Sequence, residues 1–282
     1  MHIAVTGATG FLGRHVIPAI VARGAEVTVM LRPGSEPKPW LAGLRAVQLD
    51  LHDRAVVNPL QRLGNPDAVI HLAWNGLPNY KSLHHFSEEL PAQFHFLRQL
   101  VEGNLARLVV TGTCFEYGMR SGPIDEDAAP QPDNPYGYAK DCLRQQLTYL
   151  KGKTPFALVW ARLFYMYGPG QSGNSLLPQF ERAIADGAKT FNMSGGEQLR
   201  DYLPVATVAH DIVSLAMTQA DVGVVNVCAG KPTSVRRLVE GWVKERGADI
   251  VLNLGHYAYP DYEPMAFWGG RRKLDAALAS AA

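Results

Sequence analysis

The chain has 282 residues, of which 47% are hydrophobic and 19% charged, and its formal net charge at pH 7 is +1. This composition is typical of a globular protein with a large core, and it excludes a strong overall field for nucleic acid or anionic membrane. The cysteines are three, far apart in sequence, which favours free thiols in a reducing compartment over a disulfide framework. Without a predicted signal peptide or membrane-spanning run, we expect a cytoplasmic protein with no nucleic-acid or membrane partner.

A glycine-rich turn follows the first apolar run. Residues 3–5 predict a buried strand, and Gly7, Gly10 and Gly13 recur with the spacing G-x-x-G-x-x-G between that strand and a helix. Glycines here let backbone N–H groups approach a pyrophosphate at the helix N-terminus, so the pattern predicts a dinucleotide site. Pro18 conflicts with a helix interior and predicts a kink or a shifted boundary.

The second predicted strand, residues 26–31, ends without the acidic residue that usually binds a ribose hydroxyl of NAD. Arg32 follows it instead, and a guanidinium suits the 2′-phosphate of NADP. We therefore expect NADP as the coenzyme, with NAD as the alternative. The competing interpretation is that Arg32 is an ordinary exposed loop residue.

Short apolar strands alternate with helical patterns along the rest of the chain. The predicted strands are 47–49, 68–72, 108–111, 156–163 and 224–227, and the predicted helices are 81–101, 134–150, 174–187, 206–219 and 233–247. This alternation predicts a doubly wound α/β fold with a parallel sheet and ligands at the carboxyl ends of its strands. We expect a dinucleotide-binding domain over 1–165, partly interleaved with a smaller C-terminal α/β substrate-binding lobe over 166–282.

The stretch Asn-Pro-Tyr-Gly-Tyr-Ala-Lys at 134–140 begins one of these helices. Asn134 can cap the helix, and Pro135 suits its first position. Tyr136 and Lys140 then lie four residues apart on one face. There an ammonium would lower the pKa of the phenol, ordinarily about 10, and make it usable as both acid and base. Taken alone, however, Tyr-x-x-x-Lys also occurs on ordinary surface helices.

Several motifs occur together in a fixed order. They are TGATGFLG at 6–13, Asp50-Leu51, His71-Leu72-Ala73, TGTCFEYG at 111–118, PYGYAK at 135–140, RLFYMYGPG at 162–170 and Arg200-Asp201-Tyr202. This combination resembles the extended short-chain dehydrogenase/reductases that act on nucleotide sugars. The resemblance implies that Thr113 bonds the substrate oxygen, that Tyr136 is the acid/base, and that Lys140 tunes Tyr136 and holds the nicotinamide ribose. It implies coenzyme contacts from Gly7, Thr9, Gly10, Phe11, Leu12, Gly13, Arg32, Asp50, Leu51, Leu72, Ala73, Thr111, Tyr136, Lys140 and Phe164.

The residues after Thr113 narrow the chemistry. The family's 4,6-dehydratases have Thr-Asp-Glu at this place, whereas this chain has Thr113-Cys114-Phe115 and lacks both carboxylates. We therefore expect hydride transfer to a carbonyl carbon, with Tyr136 as proton donor, rather than dehydration. A 4-epimerase that works through a transient ketone on NAD uses the same residues and remains an alternative. A non-catalytic NADP-sensing module is a third hypothesis.

Segments 74–81 and 111–118 resemble 4-keto-6-deoxy-sugar reductases of bacterial surface-polysaccharide pathways. This implies NADPH-dependent reduction of a dTDP-, CDP- or GDP-linked 4-keto-6-deoxyhexose at C4. The substrate-site candidates are Trp74, Asn75, Phe115, Glu116, Asn174, Arg200 and Arg271. Arg200 matches the family arginine that meets the diphosphate, while Trp74 is alternatively core and Arg271 alternatively a solvated turn. Tyr165 replaces the Asn that is usual in the family. The resemblance therefore does not imply how the sugar or phosphate is bound on that side.

Two further expectations concern metals and assembly. The nine histidines include no pair with flanking Cys or acidic partners at metal-site spacing, so we expect no metal. The resemblance implies a homodimer, paired through the predicted helices 81–101 and 134–150.

Overall fold

The structure is a computed structural model that describes residues 1–36, 38–259, 261 and 263–280. Its strands are β1 (His2–Thr6), β2 (Glu26–Leu31), β3 (Arg45–Gln48), β4 (Ala68–His71), β5 (Arg107–Thr113), β6 (Gly122–Ile124), β7 (Ala157–Leu163), β8 (Tyr165–Tyr167), β9 (Thr190–Asn192), β10 (Leu199–Arg200), β11 (Tyr202–Pro204), β12 (Gly223–Val227), β13 (Thr233–Ser234), β14 (Val251–Asn253) and β15 (Phe267–Gly269). Its helices are α1 (Gly13–Val21), α2 (Pro59–Arg62), α3 (Leu90–Glu102), α4 (Pro135–Lys151), α5 (Leu176–Ala185), α6 (Val205–Met217), α7 (Val235–Arg246) and α8 (Arg272–Ala279).

Seven strands form one parallel sheet in the order β12-β7-β5-β4-β1-β2-β3. The chain runs outward from β1 through β2 to β3, then returns to β4 on the other side of β1. This reversal creates a crevice at the carboxyl ends of β1 and β4, which is where ligands bind in open α/β sheets. The predicted doubly wound fold is confirmed.

Helices cover both faces of the sheet. Ile3 and Val5 point into an apolar core shared with α1, α6 and α8, while Ala4 between them points into a second core shared with α2, α3 and α4. Because side chains alternate along a strand and both faces are covered, β1 reads as a continuous apolar run.

The C-terminal part of the chain divides between the large sheet and a small lobe. β12 pairs with β7 at the edge of the large sheet, and α6 packs into the same core as α1. The small lobe consists of α5, α7, β9 and β14 around a third core that contains Phe180 and Trp242. The two halves of the sequence are thus interleaved in the fold.

Two predicted features differ from the structure. The predicted helix 81–101 is replaced by a π-helical turn at His85–Glu89 followed by α3, so regular α-helix begins only at Leu90. Helix α1 continues through Pro18 without the boundary shift that the sequence indicated. The other predicted strands and helices are present, with small differences at their ends.

Three properties of the described residues bear on function. The cysteines Cys114, Cys142 and Cys228 are free. No group of three or more His, Cys, Asp or Glu side chains in the described part of the chain is arranged to hold a metal ion. In that same part, no helix has the length and apolar character needed to span a bilayer.

Candidate active site at the carboxyl edge of the sheet

The glycine turn after β1 brings the backbone close to β4 and to the start of α1. Gly7 has a φ of +69°, and a Cβ at this residue would lie 2.8 Å from the amide nitrogen of Ala73. A Cβ at Gly13 would overlap the carbonyl oxygen of Gly7. Only glycine therefore permits this packing, which leaves backbone N–H groups at the helix N-terminus facing the crevice.

A cavity of about 350 Å³ lies against this turn. It is lined by Gly7, Thr9, Gly10, Met30, Leu31, Arg32, Ser35, Leu51, Leu72, Ala73 and Trp74. The bare glycine backbone, the apolar floor and the exposed guanidinium of Arg32 at the rim fit the pyrophosphate, adenine and ribose end of a dinucleotide. Three residues of this lining were not predicted: Met30, Leu31 and Ser35. They lie at or just after the end of β2, and the tendency of ligands to bind at the carboxyl ends of parallel strands could have identified them.

Other predicted coenzyme residues lie beside the cavity rather than in its lining. The Phe11 ring packs edge-on against His15, and Leu12 is the residue preceding α1. Asp50 accepts a hydrogen bond from the amide of His52. The side chains of Phe11, Leu12 and Asp50 are not part of the cavity lining.

Phe164 departs from its predicted role. Its side chain is buried in a small cluster with Tyr117 and Phe267, with ring centroids 6.4 and 5.9 Å away. The prediction that Phe164 contacts the coenzyme therefore finds no support from the position of its side chain. The residue follows β7, and its surroundings come from segments distant in sequence.

Helix α4 places the predicted proton donor. The side chain of Asn134 accepts a hydrogen bond from the amide of Gly137 at 2.9 Å, and Pro135 occupies the first turn, as predicted. Tyr136 is 7% exposed, and its hydroxyl is hydrogen-bonded to Thr113 at the end of β5. The sequence thus identified two hydroxyls, 23 residues apart in number, that the fold joins.

Aromatic rings surround Tyr136. The centroids of His85, Tyr80, Trp74 and Phe115 lie 5.2, 5.6, 5.9 and 6.4 Å from its ring centroid. Trp74 and Phe115, predicted as sugar-pocket residues, therefore lie next to the predicted proton donor. Tyr80 and His85 were not predicted, because no sequence spacing relates them to Tyr136.

The pKa of Tyr136 is raised well above the ordinary value of a phenol. Burial is the main cause, Tyr80, Glu116 and Cys114 add to it, and the hydrogen bond with Thr113 opposes it. The sequence predicts that the ammonium of Lys140 lowers this pKa, and the structure contradicts that prediction because burial dominates. Tyr136 is consequently a neutral phenol, which can give a proton but does not readily take one.

Lys140 is buried behind Tyr136. It is 1% exposed, and its Nζ donates to the carbonyl oxygen of Thr111 at 2.8 Å and lies 4.0 Å from the centroid of the Trp74 ring. Burial lowers the pKa of Lys140 to about 7, against the opposing influence of Glu116 and Glu89. The charge of this ammonium is therefore sensitive to its neighbours near neutral pH.

Glu116 is not a sugar-pocket residue as predicted. Its side chain is fully buried in a 3₁₀ turn, Cys114–Tyr117, where it accepts from the amide of Thr113 at 2.8 Å. It also accepts from Arg162 Nε at 2.7 Å and from Trp160 Nε1 at 3.0 Å. Because all of its partners are internal, Glu116 fixes the backbone that presents Thr113 instead of contacting substrate.

The remaining substrate-site candidates lie in the C-terminal part and on the β4 loop. Arg200 is 2% exposed, pairs with Glu263 at 3.1 Å and lies between the rings of Tyr165 and Phe267. A diphosphate would have to compete with Glu263 for this guanidinium. Asn75 and Asn174 are exposed loop residues.

Arg271 is engaged at the start of α8. Its guanidinium donates to the carbonyl oxygen of Cys228 at 2.5 Å and to Asp275 at 2.8 Å. These contacts tie α8 to the end of β12. These contacts give Arg271 a structural role that requires no ligand.

The π-helical turn His85–Glu89 holds the loop after β4. Glu89 is fully buried and accepts from the amide of Asn75 at 3.2 Å, from Gln93 at 2.9 Å and from His52 at 2.6 Å. Burial alone would raise the pKa of Glu89, but these hydrogen bonds outweigh burial and lower it. The turn therefore anchors Trp74 and Asn75 at the crevice, a role that the predicted regular helix did not suggest.

Comparison with known proteins places this arrangement in a family. Residues 3–228 match the model of the NAD dependent epimerase/dehydratase family. The chain belongs to this family. The match spans the glycine turn, the Thr113, Tyr136 and Lys140 positions and Arg200, and it confirms the resemblance stated from the motifs.

Several known proteins resemble the chain along most of its length. A dTDP-6-deoxy-L-talose 4-dehydrogenase (NAD(+)) from Aggregatibacter actinomycetemcomitans is 29% identical over 272 residues, covering 96% of this chain and all of that protein. UDP-arabinose 4-epimerase 1 from Arabidopsis thaliana is 25% identical, covering 89% of this chain and 69% of that protein. The structure of MoeE5 in complex with UDP-glucuronic acid and NAD superposes with a TM-score of 0.82 at 27% identity, covering 99% and 93% of the two chains.

Proposed function

We propose that this protein is an NADPH-dependent oxidoreductase that reduces the C4 carbonyl of a nucleotide-linked 4-keto-6-deoxyhexose. The observation that carries the proposal is the position of Tyr136, whose hydroxyl is hydrogen-bonded to Thr113 and whose ring packs against Trp74 in the lining of the cavity beside the glycine turn. A phenol held neutral is suited to protonating an alkoxide, which is what carbonyl reduction requires.

Each residue has a separate role in the proposed reaction. Thr113 and Tyr136 together bind the carbonyl oxygen, and the hydroxyl of Tyr136 donates its proton as the carbon–oxygen double bond becomes single. When bound, the dinucleotide supplies the hydride to the carbonyl carbon. Lys140, at the back of Tyr136, stabilises the phenolate that remains until a proton returns from solvent. The aromatic rings around Tyr136 exclude water from the oxygen while this occurs.

The relative named dTDP-6-deoxy-L-talose 4-dehydrogenase supports the substrate class. Oxidation of a C4 hydroxyl and reduction of a C4 ketone are one reaction in opposite directions, so the same acid/base serves both. A dTDP-linked sugar is our first choice, with CDP- and GDP-linked sugars as alternatives. That relative's name gives NAD, whereas Arg32 at the end of β2 favours NADP here.

A nucleotide-sugar 4-epimerase is the second candidate. It is supported by the similarity to UDP-arabinose 4-epimerase 1. An epimerase returns to its coenzyme the hydride it removed, so it consumes none. A reductase requires stoichiometric NADPH, which separates the two candidates experimentally.

We also propose that the protein is a cytoplasmic homodimer. Leu83, Phe86, Tyr138 and Tyr149, on the π-turn side and on α4, are exposed by 62, 37, 51 and 76%. The ring centroids of Phe86 and Tyr138 are 6.0 Å apart, and large exposed apolar side chains in contact mark interaction surfaces. Light scattering after size exclusion would give twice the mass of the chain if this is correct.

The deciding experiment uses Tyr136→Phe beside Tyr138→Phe, an exposed tyrosine two residues along α4. Wild type and Tyr138→Phe are expected to oxidise NADPH with a 4-keto-6-deoxy sugar nucleotide from a panel of bases, while Tyr136→Phe is expected to be slower by about 10²- to 10⁴-fold. Binding of NADPH without oxidation by any panel member would instead indicate a non-catalytic NADP-sensing module. Turnover of a sugar nucleotide without added coenzyme would indicate the epimerase.

A further inference from the structure

Trp74 covers the ammonium of Lys140. The Nζ atom lies 4.0 Å from the centroid of the indole and 5.9 Å from that of the Tyr136 ring. Lys140 is 1% exposed, so no water shell solvates its charge from the side that Trp74 occupies. A cation over an aromatic face at this distance is attracted by the ring quadrupole, most strongly when both are desolvated.

The indole is itself held in place by His85. Trp74 Nε1 donates to His85 Nδ1 at 3.1 Å, and the second ring nitrogen of His85 lies 2.8 Å from the carbonyl oxygen of Asn79. A carbonyl can only accept, so these contacts assign a neutral His85 with its proton on Nε2. His85 is fully buried, and burial lowers its pKa, which agrees with the neutral form.

We propose that Trp74 is a positioning residue that keeps the ammonium of Lys140 charged through its ring face, and that His85 acts by fixing the indole over that ammonium. Neither residue needs to touch the substrate or the coenzyme for this role. Its importance for turnover rests on the proposed function, whereas the contact itself does not.

Other groups also act on the charge of Lys140. Glu116 and Glu89 face it from the 3₁₀ turn and the π-helical turn and favour the charged form. His71 on β4 and His85 interact electrostatically with the ammonium, but burial keeps both imidazoles neutral. Tyr136, on the same helix, is also neutral. Trp74 is therefore the neighbour whose effect can be changed without altering any of these charges.

The test replaces the tryptophans with fluorinated analogues, which keep the ring shape and withdraw electron density from its face. The pKa of Lys140 is read by NMR from lysine labelled with ¹³C at Cε, in protein without coenzyme or substrate, and Lys140→Met identifies the signal. We expect the pKa of Lys140 to fall stepwise with the number of fluorines, by up to about one unit, because a buried cation–π contact and one pKa unit are similar in free energy.

Two sets of variants complete the design. Fluorination replaces all five tryptophans. Trp74→Leu is therefore the control: because it lacks the ring over Lys140, fluorination of the other four is expected to have no effect on the pKa of Lys140. His85→Ala is expected to lower the pKa of Lys140 part of the way, and His85→Gln, which retains an acceptor, to restore it.

Three outcomes would overturn the proposal. If the pKa of Lys140 is unchanged by fluorination, the ring face does not act on the charge. If Trp74→Leu raises that pKa, Trp74 only excludes water. An unchanged pKa in His85→Ala would remove His85 from the account. Because no turnover is measured, a loss of the proposed reductase activity and a loss of this contact are distinguishable.

Discussion

Burial keeps Tyr136 a neutral phenol, which is the form that the proposed reduction requires of its proton donor. Burial among four aromatic rings raises its pKa, and the hydrogen bond with Thr113 opposes this rise. A neutral donor is ready for reduction, whereas oxidation of an alcohol would first require a base. Lys140 is the group that can make the phenolate accessible when it is charged.

The charge of Lys140 predicts a pH dependence for the proposed reduction. Burial lowers its pKa to about 7, so the ammonium loses its proton as the pH rises through that value. We expect kcat/KM for the ketone to be highest on the acidic side and to decline above about pH 7, because kcat/KM reports the free enzyme. A profile measured from roughly pH 5.5 to 9 checks this. A flat profile, or one that rises across neutrality, would contradict it.

Arg32 is the residue on which the proposed preference for NADP rests. Its exposed guanidinium lines the cavity at the end of β2, where it can pair with a 2′-phosphate. We expect Arg32→Asp to lower kcat/KM for NADPH by about 10- to 100-fold, the range of a lost charged hydrogen bond, and to leave NADH unaffected or improved. Arg54→Asp, which changes charge equally at another exposed arginine, is the control. Equal losses for both coenzymes in Arg32→Asp would mean that the guanidinium does not recognise the phosphate.

At the level of elements, the glycine turn is the most constrained part of the site. In Gly13→Ala, the new Cβ would overlap the carbonyl oxygen of Gly7, so strand and helix must move apart. We expect coenzyme binding, measured by the quenching of protein fluorescence on NADPH addition, to weaken by at least about tenfold, and stability to fall by about 1–3 kcal/mol. Gly241→Ala in α7 meets no neighbour and is expected to be neutral or slightly stabilising. Equal behaviour of the two variants would contradict the packing account.

Elements whose signals are local could be predicted from the sequence. The glycine turn follows from three glycines, and the start of α4 follows from Asn134 and Pro135, all within a few residues of the features they determine. The π-helical turn could not be predicted, because Glu89 and His85 are drawn inward by Asn75 and Trp74 on another segment.

Glu116 was assigned to the sugar pocket for a similar reason. Its nearest charged partner, Arg162, is 46 residues away along the chain. Nothing within the motif 111–118 indicates that this carboxylate turns inward. The local sequence therefore placed Thr113 correctly at the end of β5 and left the direction of its neighbour undetermined.

At the level of the whole molecule, the C-terminal half completes the sheet and core of the N-terminal half. Strand β12 adds the last strand beside β7, and α6 covers the same core as α1. The strand at 224–227 could be predicted from the sequence, but its pairing with β7, about 60 residues earlier, could not. Strand pairing is set by burial across the sheet rather than by local pattern. Within the C-terminal half, Arg200 forms a buried ion pair with Glu263.

The central claim is that reduction occurs at C4 beside Tyr136, with hydrogen delivered from NADPH and a proton from the phenol. The most direct test follows NADPH carrying deuterium at the transferred position, incubated with a dTDP-linked 4-keto-6-deoxyhexose and wild-type protein. We predict one deuterium at C4 of the product for each NADPH oxidised, with the loss of this reaction in Tyr136→Phe. A product without deuterium, or a C4 epimer formed while NADPH is unchanged, would contradict the account.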